Sequence, residues 1–520
     1  MRAASGSTPI RSVSRRQAIL RVAALGGGFV AARSWALRPD HAAPLASASV
    51  LQVPGDSGHF GYLSPRGEAL KVRVVEQTSK HIALAYRVEH RGKLYLNPTL
   101  MVRHGERFRV EMQNDLTAPT IIHWHGLHID ARNDGSGVTV AGPGERFSYD
   151  FEVRDREAMY WYHPHPHGLT ASQVYGGLFG MLFVDGDDES KLRSALDLVP
   201  GRTEIALTLQ DRRPGSTYAP TPMEEMHGFV GSTVFVNGRE YPHFFTSTRL
   251  YRFRILNASN ARTYRIAFRT PSDMLLPFML IGTDGGLLDK PLSGKEVFLS
   301  TAERIDVLVD FSSASVGDVV YLCTRAFDPM HNEMNMLHHD AFAEGAKRDL
   351  LELRVNRRET YRASVPDRLT SRVLVDTGKA GNRSFRLGFA KGEWRINDMT
   401  YKMGETPIEV ARNTTETWLI RNYFNSMPHA MHLHGFHFDV IGRETSPDQV
   451  AALKIDDAGR LPTDLGSRDT VLVWPGESVR IGIDFTLPAD PAFAGDQTYL
   501  FHCHNLEHED AGMMLGVRVS

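Results

Sequence analysis

The scarcity of cysteine is the first informative feature of this chain. Cys323 and Cys503 are the only two cysteines in 520 residues. Two cysteines could be joined in a disulfide, but we expect that these are not, because Cys503 lies between two histidines and is better explained as a thiolate ligand. Acidic and basic residues nearly balance, with a formal net charge of −2 and no basic block. The charge pattern therefore argues against nucleic acid and anionic membranes as partners.

Long uninterrupted apolar runs are also missing. The apolar stretch near the start, residues 18–32, is interrupted by Arg21 and three glycines, so it is too short and too broken to span a bilayer. Twin arginines, Arg15 and Arg16, precede it. This arrangement predicts a signal over residues 1–45 that is read by the twin-arginine export machinery. The expected location of the protein is therefore periplasmic or secreted.

Long amphipathic helical patterns are scarce, whereas short apolar runs separated by glycine, proline and asparagine recur along the chain. Many short strands at regular spacing predict β-sandwiches or barrels. A strand–turn–strand pattern at residues 99–110 recurs at 407–422, and its second half resembles residues 247–257. The repeat and the chain length predict three domains after the leader. Their predicted bounds are 46–190, 191–365 and 366–520.

Histidine, by contrast, is concentrated in four short motifs. They are His123-Trp124-His125, His163-Pro164-His165, His429-Ala430-Met431-His432-Leu433-His434 and His502-Cys503-His504. Each contains two imidazoles separated by one residue, the spacing at which side chains of a strand share a face. One such pair is commonly two surface or packed histidines. Four pairs, one of them split by a cysteine, indicate metal binding instead.

The cysteine motif predicts two neighbouring metal sites. It follows a short apolar run typical of a strand, so Cys503 faces one way while His502 and His504 face the other. A thiolate, two histidines and a distant methionine form the ligand set of a blue-copper electron-transfer centre. Cys503, His508 and Met513 supply three of these four ligands. The remaining histidine must come from another motif.

Together, the four motifs resemble those of the multicopper oxidases, the family of laccases, ascorbate oxidase and bacterial copper-efflux oxidases, over nearly the whole chain after the leader. The resemblance implies an all-β fold of three consecutive cupredoxin-like Greek-key β-sandwich domains, with four copper ions per chain. It implies the following ligands: type 1 copper, His429, Cys503, His508 and axial Met513; type 2 copper, His123 and His432; the type 3 pair, His125, His163, His165, His434, His502 and His504. The implied reaction is one-electron oxidation of a substrate at type 1 copper, electron transfer through Cys503, and reduction of dioxygen to water at the other three ions.

Carboxylates near the cluster are expected to supply the protons that this reaction consumes. Asp134 and Glu509 resemble the positions of proton-relay acids in related bacterial oxidases. The alternatives are a turn residue in an Asp-Gly pair for Asp134 and a solvated loop charge for Glu509. The adjacent Arg468 and Asp469 are expected to form a scaffold ion pair. Cys323 is expected to be a buried free thiol.

The substrate remains open at the level of sequence. One candidate function is laccase-like oxidation of phenols and aromatic amines, with type 1 copper reached through a shallow cleft. A second is periplasmic oxidation of Cu(I), for which residues 330–340, with three methionines and three histidines, offer soft ligands; the alternative for that segment is a surface loop. A third, from another class, is a copper-free structural relative, which would lack ligands; none is missing. The expected partners are a small-molecule or metal-ion reductant and dioxygen.

Overall fold

The computed structural model describes residues 49–520 except 78–81, 214, 216, 333–343 and 379. The predicted leader, and residues 333–340 of the methionine- and histidine-rich segment, lie outside the described residues. Short β-strands dominate the described part, and its few helices have nine residues or fewer. The all-β class predicted from the sequence is therefore confirmed.

The strands are as follows. The first eleven are β1 (Gly58–His59), β2 (Tyr62–Leu63), β3 (Leu70–Glu76), β4 (Leu84–His90), β5 (Lys93–Leu96), β6 (Thr99–Arg103), β7 (Arg107–Asn114), β8 (Ile122–His125), β9 (Arg146–Glu152), β10 (Ala158–Pro164) and β11 (Gly180–Asp185). The next thirteen are β12 (Glu204–Arg212), β13 (Thr233–Val236), β14 (Arg239–Glu240), β15 (His243–Ser247), β16 (Leu250–Asn257), β17 (Tyr264–Arg269), β18 (Leu275–Leu276), β19 (Phe278–Thr283), β20 (Gly286–Gly294), β21 (Glu296–Leu299), β22 (Arg304–Asp310), β23 (Val319–Thr324) and β24 (Arg348–Arg357). The last eleven are β25 (Gly381–Ala390), β26 (Glu393–Ile396), β27 (Ile408–Val410), β28 (Thr415–Asn422), β29 (His429–Leu433), β30 (Phe438–Glu444), β31 (Ser467–Arg468), β32 (Thr470–Val473), β33 (Ser478–Asp484), β34 (Gln497–Cys503) and β35 (Met514–Val519). The α-helices are α1 (Thr170–Gly176), α2 (Asp187–Ala195), α3 (Pro222–His227), α4 (Asp448–Ala451) and α5 (Leu506–Asp510).

These strands form six sheets in three consecutive pairs. The first pair has the orders β1-β5-β4-β3-β7-β9 and β2-β6-β11-β10-β8. The second has β14-β13-β12-β16-β22-β19-β20 and β15-β24-β23-β17-β18, with β21 beside β17. The third has β26-β25-β28-β33-β30-β31 and β27-β35-β34-β29-β32. Within the described residues, no strand belongs to two pairs, as expected of three sandwiches.

Alternation of apolar and polar residues explains why strands such as β7 bury only one face. In β7, Phe108, Val110 and Met112 are buried while the residues between them face outward, as expected for a strand with one face on a core. Every residue of β8, β10 and β29 is buried instead. Both faces of these three strands are covered by protein, and each of the three carries a histidine motif.

Each pair of sheets encloses an apolar core. One core centres on residues such as Phe108 and Trp124, another on Phe253 and Ile305, and the third on Trp418 and Phe501. The first described residues join the middle core: Val50 bridges to residue 243, and Leu51 packs inside it. This placement differs from the assignment of residue 46 onward to the first domain; the precise domain bounds stay a prediction.

The two cysteines are unpaired in the folded chain. Cys323 and Cys503 are both buried and free, which confirms that they do not form a disulfide. Burial raises the pKa of the Cys323 thiol to about 12, which makes it unreactive.

Among the described residues, no helix is both long and apolar enough to cross a membrane.

Candidate metal centres

Strand register brings the histidine motifs together. In the first sandwich, antiparallel β8 and β10 place His123 directly opposite His163. In the third, antiparallel β29 and β34 place His432 opposite His502. Directly opposite residues of antiparallel strands point to the same face with neighbouring Cβ atoms. The two histidine-bearing faces meet, and the eight-histidine cluster so formed comprises His123, His125, His163, His165, His432, His434, His502 and His504.

Six of these histidines form two groups of three. His163 Nε2 lies 3.4 Å from both His125 Nδ1 and His504 Nε2. In the second group, His502 Nε2 lies 3.4 Å from His165 Nε2 and 3.0 Å from His434 Nε2. Nitrogens about 2 Å from one ion at tetrahedral angles lie about 3.3 Å apart. Each group therefore has the spacing of one shared ion, and each combines residues of both sandwiches.

The remaining pair, His123 and His432, fits a third ion. His123 Nδ1–H donates to the carbonyl of Asp134, and His432 Nδ1–H to the carbonyl of Asp469, both at 2.8 Å. Their Nε2 atoms are buried without a hydrogen-bond partner among the described residues. A buried polar atom without a partner is costly, and a metal ion would satisfy both nitrogens at once.

A separate mononuclear site lies inside the third sandwich. Cys503 Sγ is 3.5 Å from His429 Nδ1 and 3.6 Å from His508 Nδ1. All three residues are fully buried, as is Met513, whose carbonyl accepts a 3.0 Å hydrogen bond from Cys503 N–H. One thiol, two imidazoles and the thioether of Met513, which shares an apolar core with Cys503, have the chemistry of a blue-copper ligand set.

Protonation states also suit metal binding. Burial lowers the pKa of the cluster histidines, to about 4 for His125 and about 3 for His502, so their rings are neutral and have a lone pair to share. Burial raises the pKa of the Cys503 thiol to about 12. The thiolate therefore requires a coordinated metal, which deprotonates a thiol outright.

Both predicted proton-relay acids lie against the eight-histidine cluster. Asp134 is fully buried, and its Oδ2 accepts a 2.8 Å hydrogen bond from His434 Nδ1–H. Glu509 is buried too; its Oε1 is 3.4 Å from His165 Nε2 and its Oε2 is 3.5 Å from His502 Nδ1. Burial raises the pKa of both carboxyl groups well above the usual range. Glu509 is therefore no solvated loop charge, and Asp134 does more than form a turn.

Asp469 is a neighbour of the cluster that the sequence did not predict, since Arg468 and Asp469 were expected to pair with each other. They do not. Arg468 contacts Asp284 and Glu303, whereas the fully buried Asp469 accepts a 3.0 Å hydrogen bond from His125 Nε2–H. The expected pairing was wrong because the two side chains, at the junction of β31 and β32, reach different charged partners. No local motif marks Asp469 as a partner of histidine.

The edge of the mononuclear site is covered rather than open. His508 Nε2–H donates a 2.9 Å hydrogen bond to the carbonyl of Met226 at the end of α3, and His508 is fully buried. The shallow cleft expected at type 1 copper is therefore absent at His508. A cavity of about 370 Å³ is lined in part by α3. Its walls include Arg213, Met223, Glu224, His227, His331 and Glu344.

Two family models match the chain. Both are described as multicopper oxidase, and they cover residues 86–189 and 366–520. These ranges contain all twelve residues of the two centres.

The chain is also similar to individual multicopper oxidases. The solved structure of the McoA multicopper oxidase from the hyperthermophile Aquifex aeolicus shares 34% identity, with a TM-score of 0.80 over 91% of this chain and 100% of that one. A multicopper oxidase of Staphylococcus aureus is 29% identical over 82% of each chain. A laccase of Bacillus subtilis is 28% identical over 81% of this chain and 88% of the laccase.

Proposed function

Because this chain belongs to the multicopper oxidase family and is thus a copper-dependent oxidoreductase that uses dioxygen, we propose that it oxidises phenols and aromatic amines one electron at a time, as a laccase does. The proposal includes four copper ions per chain: one at the mononuclear site and three in the eight-histidine cluster. Copper bound there would supply one-electron oxidation of the reductant and four-electron reduction of dioxygen, which consumes four protons and gives two waters.

The observation that carries the proposal is the 370 Å³ cavity beside the mononuclear site. Its volume lies within the range of small-molecule pockets, roughly 300–1,000 Å³. His227, in its wall, directly follows Met226, whose carbonyl is bonded to His508. A reductant in the cavity is therefore separated from a ligand of the mononuclear site by one peptide unit and one hydrogen bond.

The chain's own residues define the remaining path. Cys503 is flanked by His502 and His504, which belong to different groups of the cluster, so the main chain of three residues joins the electron-entry site to both. Asp134 and Glu509 sit where protons are consumed: Asp134 receives the Nδ1–H of His434, and Glu509 lies beside His165 and His502. Complete burial of these acids and imidazoles keeps bulk water away.

A second candidate substrate, Cu(I), is favoured by the lining of the same cavity. Met223, His227 and His331 line the cavity with one soft thioether and two imidazoles, and Glu344 adds a carboxylate, whereas Arg213 offsets the charge of Glu224. Soft ligands of this kind select Cu(I). The two candidates therefore share one docking place and differ in the residues they use there.

Oxygen uptake by the copper-loaded enzyme separates the two candidates. We expect oxidation of dimethoxyphenol that does not depend on added copper(II), and this activity should survive Met223→Leu, which removes the sulfur but keeps an apolar side chain. The exposed Met403 offers the matched control, Met403→Leu. The second candidate would be favoured, and the first contradicted, if the enzyme oxidised Cu(I) but not dimethoxyphenol. In that case Met223→Leu should weaken the oxidation of Cu(I), and Met403→Leu should leave it unchanged.

Export to the periplasm or beyond the cell is part of the proposal and is supported by the twin arginines of the leader. Replacing Arg15 and Arg16 with lysine should leave the oxidase activity in the cytoplasmic fraction, since export signals of this kind are read through the arginine pair. Unchanged export of the double variant would contradict this assignment.

A further inference from the structure

A buried arginine of the middle sandwich reaches the eight-histidine cluster although that sandwich supplies no predicted copper ligand. Arg304, the first residue of β22, places Nη1 2.9 Å from Asp469 Oδ1 and Nη2 2.5 Å from Asp469 Oδ2. This is a two-pronged contact in which a planar guanidinium matches a carboxylate, the strongest common geometry for such a pair. Both side chains are fully buried.

The contact joins all three sandwiches at one point. Asp469 lies between β31 and β32 of the third sandwich, and its Oδ1 also accepts the Nε2–H of His125 from β8 of the first. Arg304 Nε–H donates to the carbonyl of Met159 in β10, and Nη2–H donates to the carbonyl of Asp284. The guanidinium thus holds its carboxylate partner and main-chain groups of the first and second sandwiches in one arrangement.

Asp469 in turn controls two histidines. Its carboxylate binds the Nε2–H of His125, which leaves Nδ1 of that ring unprotonated and aimed at His163 and His504. Its carbonyl binds the Nδ1–H of His432, which leaves Nε2 of that ring free to face His123. The rings of His125 and His432 stack with centroids 3.8 Å apart. A shift of Asp469 would therefore disturb a type 2 and a type 3 ligand together.

From these contacts we infer that Arg304 is a positioning residue for the three-copper cluster. It acts through Asp469: it holds the carboxylate where it fixes the tautomer and orientation of His125 and, through the main chain, the orientation of His432. Hydrogen-bond partners behind metal ligands commonly change metal affinity or activity 10- to 100-fold when they are removed. This inference rests on the copper assignment of the proposed function and adds a determinant from the domain without ligands.

The variant Arg304→Gln tests the inference because glutamine cannot form the two-pronged contact. We expect the blue absorbance of the mononuclear site to remain, since none of its ligands touches Arg304. The type 2 electron paramagnetic resonance signal should change, and the near-ultraviolet band of the coupled pair should weaken. In a chelator titration, copper should leave the eight-histidine cluster at a chelator concentration about 10- to 100-fold lower than in the wild type. Arg304→Lys keeps the charge without the fork and should give an intermediate result even if the glutamine variant folds poorly.

Arg252 provides the matched control. It is an equally buried arginine of the middle sandwich, bonded to Glu189, Glu204 and Asp306, and no described contact joins these acids to a cluster histidine. Arg252→Gln should lower thermal stability and leave the type 2 and type 3 signals unchanged. If the type 2 and type 3 signals of both Arg304 variants match those of the wild type, Arg304 is not a positioning residue. A copper-treated wild type without such signals would instead overturn the copper assignment, and this inference with it.

Discussion

At the scale of single residues, the site depends on polar groups that are buried and satisfied only in part. His123 and His432 have one ring nitrogen bonded to a carbonyl and the other free, and both oxygens of Glu509 lack a hydrogen-bond partner among the described residues. Such groups destabilise a fold unless something binds them. Their presence at one place indicates that function, rather than stability, determines these residues.

Replacing Asp134 with asparagine should remove a proton donor from the eight-histidine cluster. In Asp134→Asn the side-chain oxygen can still accept from His434 Nδ1–H, so the ligand should stay oriented, but the group can no longer deliver a proton. General acid–base groups contribute about 10²- to 10⁴-fold. We therefore expect oxygen reduction at saturating reductant to slow about 100-fold or more while copper content stays normal. Turnover and copper analysis measure this.

The control for Asp134 lies in the same loop. Asp130 is buried and bonded to Asn133, but no described contact joins it to a cluster histidine. Asp130→Asn should keep its turnover. Full turnover of Asp134→Asn with normal copper content would remove Asp134 from proton delivery.

Residue spacing predicted which histidines come together but not how they divide into groups. The motifs identify the members of the eight-histidine cluster because strand spacing is a local property. The split into His125, His163 and His504 against His165, His434 and His502 depends on how two sandwiches meet, which no local spacing encodes. The role of Asp469 depends on Arg304, distant in sequence, and the cover over His508 depends on α3. Contacts between distant segments therefore account for what the sequence did not predict.

At the scale of elements, the loop after β8 returns so tightly that it admits only glycine at one position. Gly135 has a φ of +74°, and a Cβ there would lie 1.8 Å from the carbonyl oxygen of Ile122. That contact places Asp134 next to the strand that carries His123 and His125. The tight turn is thus the means by which a loop acid reaches the eight-histidine cluster.

The variant Gly135→Ala should therefore be severely destabilising. Gly144 offers a matched control, since its φ of +79° is similar and a Cβ there meets nothing within 4 Å. Gly144→Ala should cost about 1–2 kcal/mol from left-handed backbone strain alone. Gly135→Ala should cost roughly 4 kcal/mol or more, the range of severe packing damage. Denaturant unfolding measures both, and equal costs would show that the backbone can move aside.

At the scale of the whole molecule, copper ions in the eight-histidine cluster would link the first and third sandwiches. Each three-histidine group takes residues from both, and His123 of the first faces His432 of the third. The unfolded chain does not hold these residues together, so the ions stabilise mainly the native state.

Removal of copper should accordingly lower the melting temperature. A ligand at one hundred times its dissociation constant adds about 2.7 kcal/mol per site, and several sites act here. Differential scanning calorimetry of the copper-loaded, copper-free and reconstituted protein measures the effect. Reconstitution should restore the higher melting temperature, and identical melting of all three samples would contradict a metal link between the sandwiches.

Strand β34 and helix α5 follow the other ligand-bearing strands, so the ligands from β34 onward are synthesised last among the predicted ones. Cys503 and four other predicted ligands follow residue 501, after all the others. During translation, seven of the candidate histidines are therefore synthesised before the strand that ends in Cys503. Until β34 emerges, the nascent chain lacks Cys503, through which electrons are proposed to reach the eight-histidine cluster. The order of the motifs thus delays the mononuclear site until all ligands of the first two motifs and of the third have been made.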